Sequence, residues 1–236
     1  MSDTPKFIVV IGGSAGGLNV LLELVHHLEK NCDAAYCIVL HLSRTGTGDF
    51  VVHRIKQVIT KHCSIASDGA PIENDTIYVG CPNQHMLVKD GKFKLGAGPE
   101  ENRWRPSIDV LFRSAADACS SHAIGIVLSG ILDDGTSGMW AIKRSGGICI
   151  VHDPNQAEFP DMPISVINHI DVDFVVGLSE MNAIIGQAIA QAPSEKGHVP
   201  EDVLTESLIA EKTAVGIEDV EKLTIDRSVY ACPDCG

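Results

Sequence analysis

Hydrophobic positions recur along the chain in two alternating rhythms. Residues 7–11 form an unbroken apolar run, the mark of a strand buried on both faces. Leu18, Leu21, Leu22, Val25 and Leu28 then return at helical spacing. The pattern repeats with an apolar run over 36–40 that ends at His41, and with Phe50, Val51, Ile55, Val58 and Ile59 on one helical face of 49–61. A polar, turn-rich stretch follows, holding a short strand over 76–79 and a hairpin over 86–95 around Asp90-Gly91. Pro106 and Ser107 open a helix over 106–119 with Val110, Leu111 and Ala115 buried. A third strongly apolar strand covers 123–128, a loop covers 129–135, a helix begins near Thr136, and a strand covers 147–151. Strands alternating with helices predict an α/β fold: a doubly wound, mostly parallel sheet flanked by helices in three α/β/α layers, with a small β-hairpin.

Length and charge refine this picture. The 236 residues suffice for a large core, and 44% hydrophobic against 21% charged residues excludes wholesale disorder. A net charge of −13 argues against nonspecific nucleic-acid binding, which needs cationic surface to displace counterions. No apolar run is long enough to span a bilayer, and Met-Ser-Asp-Thr-Pro-Lys lacks a signal peptide's apolar core, so a cytoplasmic protein without membrane insertion is expected. The eight cysteines are scattered and suit reduced thiols better than a disulfide framework. Residues 194–226 carry nine acidic residues and three lysines, a net of −6, which divides the chain into a domain over 1–193 and an acidic linker and helical tail over 194–236. In that tail Val203, Leu204, Leu208 and Ile209, then Val215 and Ile217, suggest amphipathic helices that dock on the domain or a partner. Cys232-Pro233-Asp234-Cys235 is half of a zinc-site spacing. Tetrahedral zinc needs four ligands, so no complete metal site is expected there.

The candidate chemistry begins at Gly12-x-Ser14-x-Gly16, where a strand turns sharply into a helix as in a nucleophile elbow. Taken alone, the turn fits a structural role equally well. It does not fit a dinucleotide site, since Ser14 occupies the second glycine position and the next strand ends at His41 rather than an acidic residue. A Walker loop would need a Lys-Ser/Thr pair, which is missing. In a doubly wound sheet the ligand site lies at the carboxyl ends of the strands, and Ser14, His41 and Asp134 each follow an apolar strand there. A hydroxyl needs a base to take its proton, and a carboxylate behind an imidazole fixes its tautomer. Asp133 competes for the carboxylate role. The order Ser…His…Asp departs from the Ser…Asp…His of α/β-hydrolases. His26, His27, His53 and His62 fall on helical stretches or their ends, whereas His85 and His152 lie near the rim as candidate substrate contacts.

Four segments carry a resemblance: Gly12-Gly13-Ser14-Ala15-Gly16-Gly17, the strand ending in His41, Arg103-Trp104-Arg105-Pro106-Ser107-Ile108-Asp109-Val110-Leu111-Phe112, and Leu128-Ser129-Gly130 through Asp133-Asp134-Gly135. In this order, over about 7–190, the chain resembles the chemotaxis protein-glutamate methylesterase domain of the CheB type. The resemblance implies that Ser14, His41 and Asp134 are the catalytic serine, histidine and aspartate. It implies hydrolysis of glutamate methyl esters on chemotaxis receptors, with release of methanol, no cofactor, and glutamine deamidation in some members. Backbone N–H groups of Ala15 and Ile131 are the expected oxyanion donors, and Arg103 and Arg105 the expected substrate contacts. The chain has Ala15 where the family has threonine, Ile131-Leu132 for Met-Gly, Leu42-Ser43 for Met-Pro, and Trp104 for a frequent histidine. A Cβ disfavours glycine-like backbone angles, so the loop at Leu132 is where activity is most open to failure. Typical members carry an N-terminal receiver domain. Here the first strand starts at Phe7, which leaves a constitutive esterase, an enzyme regulated in trans, or a fragment of a longer chain. An inactive docking module that keeps the fold, and a phosphate-binding Gly-rich loop, are the other readings.

Overall fold

In the computed structural model the described residues are 4–28, 32–41, 48–191, 193 and 195–215. Seven parallel strands form the central sheet: β1 (Phe7–Gly13), β2 (Ala34–Leu40), β3 (His62–Ile65), β4 (Thr76–Val79), β7 (Ala123–Val127), β8 (Ile148–His152) and β9 (Phe174–Val176). Their order across the sheet is β3-β4-β2-β1-β7-β8-β9. A separate antiparallel hairpin joins β5 (His85–Lys89) to β6 (Lys92–Gly96). The central strands are apolar at every position because both of their faces are covered.

Alternation along each strand sorts side chains to two cores. Phe7, Val9, Ile11, Tyr36, Ile38 and Leu40 pack under α1 (Gly17–His26), α2 (Gly48–Val58) and α6 (Leu178–Gln191). Ile8, Val10, Ala35, Cys37, Val39, Val127 and Val151 pack under α3 (Ile108–Cys119), α4 (Thr136–Arg144) and α5 (Asp161–His169). The three-layer α/β/α architecture is therefore present, hairpin included. From β1 the chain winds outward through β2, then returns to start β7 on β1's other side. That reversal leaves a crevice at the carboxyl ends of β1 and its neighbours, the usual ligand position in such sheets.

Several details differ from the sequence reading. Residues 62–65 are a strand, not a helix end, because α2 stops at Val58 and the chain turns back to pair with β4. β1 runs on through Gly13, so the turn proper spans 14–16. The helices α5 and α6 and the edge strand β9 carry no strong pattern, since β9 is only three residues long and partly exposed. Helix α7 (Glu201–Val215) docks on α3 and the hairpin through Val203, Ser207, Ala210 and Ala214, whereas Leu204 and Leu208 face outward. Val203 docks as expected, but Ser207, Ala210 and Ala214 take the places expected of the leucines, because small residues let α7 approach closely. Lys89 and Lys94 both grip Glu211 at 2.6 Å, and Ser207 donates to Asp117. Ile217 and the Cys232/Cys235 segment lie outside the described residues.

The approach of α3 and α4 is set by Gly138. A Cβ there would lie 2.4 Å from Phe112 Cβ and 3.2 Å from the Asp109 backbone, neither of which can swing aside. Gly138→Ala should therefore force the helices apart and cost about 1–3 kcal/mol. Urea denaturation of the two proteins measures this, and an unchanged midpoint would contradict it.

Candidate active site

The register of the first two strands brings two candidate residues together. Gly13 pairs with Leu40, so Ser14 and His41 emerge side by side at the sheet edge, and the His41 N–H donates to Gly13 O at 3.0 Å. The Ser14 N–H donates to Ser129 O at 2.9 Å, which ties this turn to the loop after β7. Gly16 takes φ +71°, a left-handed angle that lets the chain enter α1 three residues after Ser14. Gly130 leaves room for the serine, since a Cβ there would stand 2.9 Å from Ser14 Cβ.

His41 is buried and its Nε2 lies 2.8 Å from Asp134 Oδ2. That bond assigns the Nε2–H tautomer and leaves Nδ1 with a free lone pair. Nδ1 is shielded from solvent and has no hydrogen-bond partner among the described residues; the Ser14 hydroxyl makes no bond to it. One face of the ring is covered by Trp104, stacked with centroids 4.2 Å apart and planes 8° from parallel.

Asp134 does more than hold the imidazole. Its carboxylate also accepts from Asn102 Nδ2 (2.9 Å), Ser107 Oγ (2.9 Å), Ile108 N–H (2.8 Å) and Asp109 N–H (3.0 Å). It therefore sits on the N-terminus of α3, where unpaired N–H groups and the helix dipole favour an anion. Burial works to raise its pKa, but the bonds from His41, Asn102 and Ile108 outweigh it and hold the carboxyl below its usual range. Asp109 returns the favour, with Oδ1 accepting from Gly135 N–H (3.0 Å) and Gly138 N–H (2.6 Å) at the start of α4. Each carboxylate thus caps the helix that follows the other. Burial, then the negative charge of Asp134, push Asp109 up to about 8 against the pull of Arg113 and the Gly138 N–H. Asn102 Nδ2 bridges the two carboxylates, reaching Asp109 Oδ2 at 2.7 Å.

The sequence-predicted residues divide clearly. Ser14, His41 and Asp134 meet at one crevice; Asp133 is exposed and caps α4 only through its backbone, its carbonyl accepting the Thr136 N–H. The N–H groups of Ala15 and Ile131 make no backbone hydrogen bond among the described residues. Arg105 Nη1 donates to Ala97 O and Gly98 O, tying down the stretch after the hairpin, while its Nε is buried without a hydrogen-bond partner among the described residues. Arg103 is exposed on a turn at φ +67°. His85 is buried and bonded to Pro99 O and the Ser107 N–H, and His152 is buried with no hydrogen-bond partner among the described residues, so neither ring is exposed at the rim. Buried Cys37, Cys63, Cys119 and Cys149 have thiol pKa values raised first of all by desolvation. Among the described residues no group of His, Cys, Asp or Glu could hold a metal ion. Asn102, Ser107 and Asp109 were not picked out individually; the last two sit inside the Arg-Pro-Ser-x-Asp segment, whose unusual content was the available signal.

Comparison with known proteins identifies the family of the chain. A family model described as CheB methylesterase matches residues 9–185. A provisionally named protein-glutamate methylesterase/protein-glutamine glutaminase of Leptospira interrogans is 35% identical over 178 residues, covering 73% of this chain and 90% of its own. One from Sulfurimonas denitrificans is 32% identical over 195 residues, covering 81% of this chain but 55% of its own length. The crystal structure of the Thermotoga maritima CheB methylesterase catalytic domain superposes with a TM-score of 0.72 at 28% identity, covering 80% of this chain and 99% of that one.

Two outcomes follow from the site's physics. Leu132 takes φ +68°, so the loop keeps a left-handed angle despite its side chain. That costs about 1–2 kcal/mol, of which a glycine's extra unfolded-state freedom would return about 0.5–1. Leu132→Gly should therefore raise stability by up to about 1 kcal/mol in urea titrations. For Asp109 the folded value of about 8 lies above the unfolded one of about 3.9, so folding takes up a proton between them. Its contribution is fully present below the unfolded value and is lost as pH rises through the folded one. Asp109→Asn should flatten the fall of stability between pH 5 and 8; an unaltered slope would refute the assignment.

Proposed function

The chain belongs to the CheB methylesterase family, and from that premise we propose that it is a serine hydrolase that removes methyl groups from glutamate methyl esters on chemotaxis receptors. The observation that carries this reading is the His41 ring, bound through Nε2 to a buried carboxylate and bare at Nδ1, on the strand beside Ser14. In the absence of substrate such contacts are commonly loose, and they tighten when the reacting group arrives.

The reaction proceeds in two halves. Ser14 Oγ attacks the ester carbonyl while its proton passes to Nδ1, and Asp134, kept ionised by its five donors, stabilises the imidazolium. The tetrahedral oxyanion is met by the free N–H groups of Ala15 and Ile131. Collapse returns the proton from Nδ1 to methoxide, which leaves as methanol and gives a glutamyl ester of Ser14. Water, deprotonated by Nδ1, then attacks this ester and frees the glutamate and the serine. A receptor glutamine would follow the same route with ammonia as the leaving group. The substrate is a cytoplasmic protein surface, so the enzyme needs no membrane span, and no helix of the described residues is long and apolar enough to form one.

Methanol release from a methylated receptor fragment tests the reading. Ser14→Ala and His41→Ala should abolish turnover, and Asp134→Asn should be nearly as damaging because the three act as a unit. Blocking a single oxyanion donor costs about 10²–10³-fold. If Ser14→Ala released methanol as fast as the parent, the family fold would here be serving as a docking module instead.

A further inference from the structure

Trp104 reaches the site through a four-residue turn. Glu101 and Trp104 exchange backbone hydrogen bonds (3.1 and 3.0 Å), and the two residues between them, Asn102 and Arg103, both take left-handed angles of φ +52° and +67°. Such a turn is the tight, mirror-image kind that reverses the chain in the fewest residues. It is anchored three ways. Glu101 pairs with the largely buried Arg113, Asn102 donates to both buried carboxylates, and Trp104 lies flat on the His41 imidazole. Nothing in the fold of the sheet requires an aromatic ring at this position, yet the whole turn delivers one.

We propose that Trp104 is a positioning residue for the base: its indole face fixes the plane of the His41 ring and stabilises the imidazolium that forms when Ser14 gives up its proton. This inference rests on the reading of Ser14 and His41 as nucleophile and base. The single bond from Nε2 to Asp134 leaves the ring free to rotate about that axis, and Nδ1 would then swing away from Ser14. A second ring stacked at 4.2 Å and 8° blocks that rotation. The face of an indole is electron-rich, so it also favours the protonated imidazole over the neutral one, in the low-dielectric setting where such contacts count most. Because the benefit grows as charge develops on His41, it lowers the barrier to proton transfer and leaves substrate binding alone.

Two measurements test this independently. The first is steady-state methanol release by Trp104→Leu, Trp104→Phe and the parent. The second is the rate at which a small fluorophosphonate labels Ser14, which needs the imidazole but no receptor. Trp104→Leu should lower kcat and the labelling rate about 3- to 10-fold with KM within about twofold, and Trp104→Phe should recover most of the loss. The His41 ring protons, shielded by the indole in the parent, should move downfield in the proton NMR spectrum of Trp104→Leu. In a Trp140→Phe background, stepwise fluorination of the remaining indole keeps its shape but weakens its face, and log kcat should fall in step. Unchanged kcat and labelling in Trp104→Leu, a loss confined to KM, no recovery with phenylalanine, or unshifted His41 protons would each overturn the proposal. Should the parent fail to demethylate receptor while Ser14 labelling still depends on Trp104, the substrate reading falls and this inference stands.

Discussion

The Asp134 carboxylate is a buried charge that the fold has to accommodate, and most of the site follows from how it does so. An isolated ionised group in a protein interior would be neutralised or excluded. Here it collects five donors from three separate segments: the His41 ring, the Asn102 amide, and, at the start of α3, the Ser107 hydroxyl with the N–H groups of Ile108 and Asp109. Each charge-assisted bond is worth about 1.5–3 kcal/mol net when its partner would otherwise stay unpaired. Together they keep Asp134 charged without freedom to move. Removing one member would leave the others facing an unbalanced polar group, so the strand end, the Asn102 turn and the α3 N-terminus are fixed as a unit.

The reciprocal capping of α3 and α4 extends that constraint. Asp109 and Asp134 each sit near the start of one helix and satisfy the start of the other. The two helices can exchange caps only because Gly138 lets them approach closely. Two carboxylates in such proximity repel, and the cost falls on Asp109, which has the fewer donors and whose proton affinity rises. The two acids are held unequally: Asp134 keeps the histidine and the larger set of donors, and its carboxyl stays below the usual range.

Much of this was legible in the sequence, and the reasons are specific. Strands such as 7–11 and 123–128 are apolar throughout because both faces are covered, which also identifies the sheet as parallel. Ser14, His41 and Asp134 were found because strand ends in such a sheet converge, so placement along the chain implied placement in space. What the pattern could not provide were contacts set by side chains from distant turns. Asn102 precedes the distinctive segment and is exposed enough to pass for an ordinary turn residue, although its amide bridges two buried acids. A cation near an active-site motif invites the reading of Arg105 as a substrate contact; the pattern gave no sign that its Nη1 also donates to the backbone carbonyls of 97 and 98. The acidic tail hid its docking face because alanine and serine, not leucine, meet α3.

Leu132 shows how such a framework tolerates a substitution that local rules disfavour. A leucine at φ +68° is strained, and its side chain is half exposed rather than packed, so nothing in the loop itself compensates. The angle is nevertheless kept because both ends of the loop are fixed. Ser129 and Gly130 are bonded to the β1 turn and to Phe159, and Asp134 is held by its five donors. Between those anchors the chain has to reverse within three residues, and a left-handed angle is the cheapest way to do it whichever side chain is present. The anchors therefore set the backbone of the loop, and the backbone sets the direction of the Ile131 N–H. That order of causes lets the backbone at 131 and 132 keep its course whichever side chains it carries.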